Sequence, residues 1–460
     1  MVGGILALAL IAQTSEIVSP LEAVEPPACD APDRAPDPRC NENLDGRDTP
    51  ESSAARRAAR AALTPPRAAA RLVLLPVVEG TEAAERHRIF PWLRAVTTSD
   101  DGKIGVRPEI QYASSFVPSV GFLFFDRRLP DPTSEVTARF KAGSTQIIHA
   151  EVAARAPRWL GLIVGAMWDR RNDRMFAGIG NPPEGAVPTL ESRYRGDIYR
   201  GEMLWYTPNR GPLTLTLRGG VERRDYYSDD VRGGPSIADA YGAAPASCAA
   251  RGQAVPCTDP ALVPGFDGNR RLLYERARLA LDLRRPARDA SGVELGLEGG
   301  MSYGLASDPS RYARLGFDGV GQIGGNDRAL LLRFVAGVVE PVGLAPVPFD
   351  EMISPCGAAG IRGFPDGLLR DRSGMVGTAE YRWLVSNAID ASLFVDEGAV
   401  AGPWFTGLRV TNFHTSIGAG LRFFSSDQPR YWEQTASRQG VQVAWVPGES
   451  VRLILTAALF

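Results

Sequence analysis

The chain has 460 residues, with 51 basic and 53 acidic side chains, so its formal net charge at pH 7 is −2. This balance gives no electrostatic support for a nucleic-acid partner, because such binding depends on clustered basic charge. The length fits two or three soluble domains or a single large barrel. The longest apolar run, residues 5–12, is too short for a membrane helix, which needs about 20 apolar residues.

Three segments of different composition precede the main part of the chain. Residues 1–12 end in the apolar run, which predicts a secretory signal peptide cleaved after Ala12. No Lys or Arg precedes this run, so either the start lies further upstream or the signal is atypical. Residues 13–71 are rich in Pro, Ala and Arg without hydrophobic periodicity, which predicts disorder. Residues 72–101 are interpreted as a plug or periplasmic cap.

The cysteine spacing is consistent with an oxidising compartment. Cys29 and Cys40 bracket a Pro/Asp-rich stretch, and Cys248 and Cys257 bracket eight residues rich in Ala. These spacings predict two local disulfides and leave Cys356 unpaired, the alternative being five unrelated thiols. No Cys/His cluster with metal-ligand spacing occurs, so we expect neither a metal site nor a cofactor.

From residue 102 to residue 460, strand-like runs of about 8–14 residues alternate with turns rich in Gly, Pro, Asn and Asp. We interpret 102–460 as an all-β domain, a transmembrane antiparallel β-barrel of about 16 strands; single-chain bacterial barrels have an even number. The predicted strands are 104–113, 117–126, 134–142, 145–154, 158–168, 192–205, 212–226, 270–284, 291–304, 310–323, 327–340, 373–386, 389–400, 411–424, 440–447 and 450–460.

Alternation along residues 271–284 predicts one apolar and one polar face. Leu273, Ala277, Leu279, Leu281 and Leu283 share the first face, and Tyr274, Arg276, Arg278 and Asp282 share the second. A membrane barrel needs apolar residues towards lipid and polar residues towards its lumen. A soluble β-sandwich also alternates, so strand number, strand length and the export signal favour the barrel.

Residues 360–367 read Gly-Ile-Arg-Gly-Phe-Pro-Asp-Gly and lie between two of the predicted strands. Glycines let the backbone turn sharply, and the Arg362 guanidinium offers five donors to carboxylates. Glu380 and Asp396 follow in the next two predicted strands. The pattern therefore indicates a sharply folded loop whose arginine has acidic partners downstream.

This loop resembles the signature loop of the outer-membrane assembly and bacterial surface antigen superfamily, which includes BamA-like and TamA-like barrels and two-partner secretion transporters. Residues 176–181, 394–398 and 416–422 also resemble superfamily stretches, in the expected order. The resemblance implies an inward-folded loop in which Arg362, Gly363 and Phe364 form the motif and Arg362 pairs with Glu380 and Asp396. The alternative is that Arg362 is a solvent-exposed charge on the loop and pairs with neither acid.

The resemblance also implies a location and a function. We expect a monomeric integral protein of a Gram-negative outer membrane, in contact with its lipid and with client outer-membrane or secreted proteins. Repeated periplasmic (POTRA) domains are not expected in this chain. The expected activity is protein translocation or assembly by the barrel alone, and the alternative is a passive channel or structural barrel.

An enzyme is a third and disfavoured interpretation. A lipase or esterase needs an activated serine, yet no Gly-x-Ser-x-Gly elbow occurs. His87, His149 and His414 have no nucleophile at an informative spacing. We therefore interpret all three as packed or solvated side chains and expect no catalysis.

Two further features concern the edges of the predicted barrel. Pro108 lacks a ladder donor in the first strand, which indicates either a weakened seam with the last strand or a simple bulge. The chain ends in Leu459 and Phe460, and a terminal aromatic resembles an outer-membrane assembly signal. The loop at about 227–268 is too long for a periplasmic turn, so we predict surface exposure with a Cys248–Cys257 clip.

Overall fold

The strands of the described part of the chain form a closed ring. The computed structural model describes residues 96–129, 131, 133–180, 191–208, 211–253, 255–283, 291–306, 308–325, 328–386, 389–423, 440–448 and 451–458. The predictions for 1–12, 13–71 and most of 72–101 lie outside these residues, as do Cys29, Cys40, Leu459 and Phe460. Among the described residues, no helix is both long and apolar enough to cross a membrane.

Sixteen strands are connected as a simple antiparallel series. They are β1 (Ile104–Ala113), β2 (Ser119–Asp126), β3 (Glu135–Ser144), β4 (Ile147–Arg155), β5 (Leu162–Phe176), β6 (Ser192–Tyr206), β7 (Leu213–Tyr227), β8 (Arg270–Asp282), β9 (Gly292–Gly304), β10 (Arg311–Gly325), β11 (Arg328–Pro341), β12 (Ser373–Ser386), β13 (Ile389–Ala401), β14 (His414–Phe423), β15 (Gly440–Trp445) and β16 (Val451–Ala458). Each pairs with its sequence neighbours, and β1 pairs with β16 to close the ring. The predicted 16-stranded barrel is confirmed.

The largest boundary difference lies in β5, which was expected at 158–168 but continues to Phe176. The sequence prediction ended the strand too early because the charged residues from Asp169 to Arg174 interrupt the apolar alternation. They are accommodated by ion pairs, such as Arg170 with Asp197 at 2.8 Å, and by an irregular register between Arg171 and Arg174. A bulge lets a strand continue through residues that would not fit a regular ladder.

Alternation separates the two faces of the wall as expected for a barrel in lipid. On β8, Leu273 is 43% exposed and Leu279 is 42% exposed, whereas the intervening face holds Tyr274 at 5%. On β13, Leu393 and Val395 are exposed, while Asp396 is fully buried. Because the wall is one closed layer, the apolar exposed face is the outside.

The longest described connection is the cap loop, residues 228–269 between β7 and β8. It contains helices α1 (Ile237–Ala240) and α2 (Pro245–Ala250), and Ser236 caps α1 in a capping box. Cys248 and Cys257 form the disulfide that the spacing predicted. Most of α2 is exposed, with Cys248 as its buried residue.

An aromatic cluster holds the cap loop against the barrel end. Tyr194 and Phe349 lie edge-on at 5.3 Å between ring centroids, and Phe266 packs 5.7 Å from Phe349. Phe176 also meets both Phe349 and Tyr241 edge-on. Edge-to-face packing of this kind stabilises beyond simple burial. The cap loop and the β11–β12 connection therefore share one core.

Candidate functional site

The candidate site is built on the anchored loop, residues 342–372 between β11 and β12. Its tip carries Arg362, which is 6% exposed. The Arg362 Nε and Nη2 atoms both donate to Asp396 at 2.8 Å, and Nη1 donates to Glu380 at 2.7 Å. We call these three residues the tip anchor. The structure thus brings together the arginine and both acids singled out in the sequence.

The acids of the tip anchor have further partners that hold them in place. Thr378 donates to Asp396 at 2.9 Å, and the Arg362 amide donates to the same carboxylate at 3.1 Å. Arg382 donates to Glu380 at 2.6 Å. The Arg362 guanidinium also lies over the Phe394 ring, 3.3 Å from its centroid. A buried ion pair is stable only when its remaining hydrogen-bonding positions are filled, and here most are.

Two glycines allow the backbone of the anchored loop to pack closely against its neighbours. A Cβ on Gly363 would lie 2.7 Å from the Ser416 Cβ and 2.5 Å from a Val446 methyl carbon. Gly367 has φ +87°, and a Cβ there would lie 2.3 Å from the Met175 carbonyl oxygen. A larger residue would clash at either position, and at Gly367 it would also be strained. The motif glycines therefore set how closely the loop can pack.

Phe364 and its neighbours make the loop a packed structure. Phe364 is 3% exposed and meets His414 edge-on, with ring centroids 5.4 Å apart. Ile361 and Leu369 are fully buried. Cys356 is also buried and makes no disulfide, and burial raises the pKa of its thiol. Cys356 is therefore a neutral packing residue.

A second charge cluster holds the start of the loop, and the sequence reasoning missed it. Asp350 and Glu351 lie in the single 3-10 turn Phe349–Glu351. We call them, with their three arginine partners, the base anchor. The arginines come from β7, β8 and β10 and are Arg224, Arg270 and Arg314.

The geometry of the base anchor mirrors that of the tip anchor with the charges exchanged. Arg224 pairs with both acids and lies 2.5 Å from Glu351, while Arg314 lies 3.0 Å from Glu351. Tyr226 donates to Asp350 at 2.5 Å. Burial alone would raise the pKa of the Asp350 carboxyl, but Arg270 and Arg224 outweigh it and hold that pKa well below its usual range.

The loop contacts strands far apart around the ring. The tip anchor joins it to β12 and β13, and the Gly363 amide donates to Ser416 on β14 at 3.3 Å. On the other side, the Gly180 amide just beyond β5 donates to the Arg370 carbonyl at 2.8 Å. In a ring of sixteen strands, β5 and β13 are opposite one another. One segment thus bridges both sides of the barrel.

No group of acidic, His or Cys residues in the described part of the chain has the arrangement of a metal site. Within each anchor, the acidic and basic side chains are instead paired with one another. What the two anchors provide is a set of charge-assisted hydrogen bonds between a loop and the barrel wall.

Comparison with known proteins agrees with this architecture. Residues 218–430 match the model of the Omp85 superfamily domain. No curated protein matches the chain. BamA from Haemophilus ducreyi lacking POTRA domains 1–3 is similar in structure, with a TM-score of 0.51 and 12% sequence identity over 77% of this chain and 70% of that one.

Two further solved structures are more distant. CdiB from Acinetobacter baumannii has a TM-score of 0.44 at 10% identity, and the match covers 77% of this chain and 59% of that one. CdiB from Escherichia coli has a TM-score of 0.45 at 12% identity, with 76% and 63% covered. The chain thus spans less than two thirds of either CdiB chain.

The closed ring with its apolar outer face defines an outer-membrane β-barrel. Its match over 218–430, a little under half of the chain, and its BamA-like fold make it similar to the barrels of the Omp85 superfamily. The tip anchor and much of the anchored loop lie within the matched residues.

Proposed function

We propose that this barrel assists client polypeptides across or into the outer membrane, and that the β1–β16 seam opens as it does so. The observation that supports this proposal best is the small number of residue pairs in that seam. Within the described residues, β1 and β16 share five residue pairs, from Glu109 with Ala458 to Ala113 with Ile454. The β10–β11 pair on the far wall shares fourteen. Fewer ladder hydrogen bonds must be exchanged when the seam parts.

Pro108 adds to this asymmetry. It adjoins Glu109, the first β1 residue with a described partner in β16, and it supplies no amide donor there. In hydrocarbon an unsatisfied backbone group costs several kcal/mol, so a seam opens easily only where few such groups are present or a client strand replaces them. A client strand of β character would supply those partners.

The anchored loop supports a role beyond passive diffusion. We propose that it lies in the lumen, because it contacts strands on both sides of the ring. A lumen occupied by a packed loop is a poor path for solutes. The tip anchor holds the loop to β12 and β13, and Ser416 extends this contact to β14, two strands from the closing strand. Release or retention of the loop would thus bear on the strands next to the seam.

A reversible cross-link tests the seam directly. Tyr112 and Leu455 face one another across it, so Tyr112→Cys with Leu455→Cys, in a Cys356→Ser background, closes it under oxidising conditions. Phe317→Cys with Ala336→Cys is the matched control on the β10–β11 pair. The assay is rescue of outer-membrane protein levels in the native host after depletion of the parent chain, measured by proteomics.

The proposal expects loss of rescue with the seam cross-link, recovery on reduction and normal rescue with the control. Full rescue with the seam locked would rule out lateral opening. An unchanged outer-membrane proteome after depletion, combined with altered small-solute uptake, would instead establish the passive channel.

A further inference from the structure

Two arginines lie directly opposite one another on the lipid-facing side of the barrel wall. In the β7–β8 ladder, Arg223 is the partner of Arg271, and both side chains are exposed. The adjacent residues Arg224 and Arg270 are also partners, but they are buried on the lumen side. We call the first two the outer pair and the second two the lumen pair. One ladder thus carries two like-charged pairs, one on each face.

The two pairs differ in their acidic partners. Asp350 of the base anchor binds both arginines of the lumen pair. In the outer pair, Asp225 accepts from the Arg223 Nε at 3.1 Å and from its Nη2 at 2.8 Å, which leaves Nη1 for another acceptor. Arg271 makes no ion pair within the part of the chain that the structure describes. Like charges directly opposite in a ladder destabilise it, so the outer pair needs an anion that this chain does not supply.

The outer pair lies where the apolar band of the wall ends. Val221 and Leu273 are the next outward-facing residues along the two strands, and they are 53% and 43% exposed. In the other direction, β7 continues into the cap loop. Long loops belong to the outer side of such barrels, so we expect the outer pair at the headgroup level of the outer leaflet.

Aromatic rings continue the row of the outer pair across β6 and β5. Tyr199 is the ladder partner of Arg223, and Trp168 is the ladder partner of Tyr199. The two rings are stacked, with planes 2° apart and centroids 6.2 Å apart. Arg223 lies over the Tyr199 ring, 6.0 Å from its centroid. Tyr and Trp form the girdle of membrane barrels at the interface with water, which agrees with headgroup depth.

A third arginine extends the basic surface in the other direction. Arg311 begins β10, is exposed and pairs with Tyr303, which in turn pairs with Leu273. Because ladder partners share a face, Arg311 lies on the lipid-facing side with the outer pair. Glu275 on the same face accepts from the Tyr303 hydroxyl at 3.3 Å. The surface therefore suits a headgroup with more than one phosphate better than a single phosphodiester.

We propose that the outer pair binds a phosphate of a phosphorylated glycolipid in the outer leaflet. The phosphate lies between the Arg223 Nη1 and the Arg271 guanidinium, where it does for the outer pair what Asp350 does for the lumen pair. The acyl chains lie against Val221 and Leu273. Arginine suits phosphate because its planar guanidinium donates parallel hydrogen bonds.

Native mass spectrometry of the full chain in detergent tests the proposal, with bis-phosphorylated lipid A as the probe and dephosphorylated lipid A as its control. The parent should retain the phosphorylated probe about fivefold better than the control probe. Arg271→Gln should weaken retention of the phosphorylated probe about fivefold and leave the control probe unchanged. Arg409→Gln removes an exposed arginine between β13 and β14 at the same end of the barrel, and it should bind like the parent.

Arg271→Glu separates binding from folding. It places a carboxylate opposite Arg223, so we expect parent-like stability, checked by heat-dependent gel mobility, together with loss of the phosphorylated probe. If this variant does not fold, Arg271→Gln alone decides. Equal retention of both probes by the parent, or parent-like retention by Arg271→Gln, would overturn the proposal.

Two competition experiments identify the source of the phosphate. Phosphatidylglycerol and inorganic phosphate, each added at the concentration of the probe, should not displace phosphorylated lipid A. Displacement by phosphatidylglycerol would make the occupant a phospholipid, and displacement by inorganic phosphate would make the outer pair an unspecific anion site. Either result would overturn the proposal, and neither depends on client transport.

Discussion

The barrel wall is uneven: one side is joined by long ladders and the other by short ones. Strands β5 to β13 have 13–15 residues, whereas β15 has 6 and β16 has 8. The β15–β16 pair shares six residue pairs, close to the five of the seam. Both anchors bind the long side, and the loop tip also reaches β14 through the contact of the Gly363 amide with Ser416.

This difference indicates which strands contribute most to the stability of the fold. The longest ladders lie between β5 and β13, and both anchors bind strands between β7 and β13, so the short strands can separate while the rest keeps its shape. Local opening of a protein follows the region with the fewest stabilising contacts. The comparison predicts that damage to the anchors weakens the whole barrel, while the seam opens alone.

The largest effect is expected from Arg362→Ala, which leaves Asp396 and Glu380 without their cation. Removing one partner of a buried pair costs about 3–5 kcal/mol, and water in the lumen would lower this. Arg362→Lys should restore charge without the fork geometry and so rescue in part. Denaturant unfolding followed by gel mobility measures both, with Arg409→Ala as the control. A parent-like Arg362→Ala would show the tip anchor to be dispensable.

Asp350→Asn should weaken the base anchor by about 1.5–3 kcal/mol, the contribution of hydrogen bonds to charged groups. Because the folded-state pKa of Asp350 is lowered, its stabilisation is full above the unfolded pKa of about 3.9 and disappears as pH falls through the folded pKa. The difference in free energy of unfolding between parent and variant should therefore stay constant from pH 7 to about pH 5 and decrease only in stronger acid. A gap that changes near neutral pH would contradict this assignment.

Hydrogen exchange should reveal the seam without any mutation. Amides in β16 and β15 are expected to exchange faster than those in β10 and β11, because fewer ladder bonds must open together. Peptide-resolved mass spectrometry in detergent or nanodiscs measures this directly. Equal protection of 451–458 and 328–341 would remove the structural basis for an opening seam.

The smallest effect on stability is expected from a protease-site insertion after Ala250, at the exposed end of α2. The barrel should fold with parent-like stability, since both anchors lie elsewhere. Added protease should cleave the insertion on intact cells if the cap loop faces outwards. A parallel insertion in the β10–β11 turn should stay protected. Protection of the Ala250 insertion would reverse the orientation of the barrel.

Sequence reasoning recovered features that repeat or that carry a motif. Alternation placed β8 within two residues, because period two survives wherever one face meets lipid. Arg362 and its acids were found because the glycines around the arginine mark the loop. The extension of β5 to Phe176 was not found, since its charged residues break the apolar alternation and are satisfied by ion pairs within β5 and with β6.

The base anchor was not predicted from the sequence for a related reason. Asp350 and Glu351 form no motif, and their arginines come from three strands. One signal was present: Arg270 continues the polar face of Tyr274 and Arg276 by period two. That spacing places a cation on the buried face of β8, and a buried cation needs an acid. Which acid it meets is decided by the tertiary fold.

Phe349 joins two parts of the molecule that the sequence keeps apart. Its ring lies in the aromatic core of the cap loop, and its amide donates to the Pro264 carbonyl at 2.8 Å. The next two residues are the acids of the base anchor. A force applied to the cap loop would act on the same turn that fixes the anchored loop. Phe349 therefore couples the position of the cap loop to that of the base anchor.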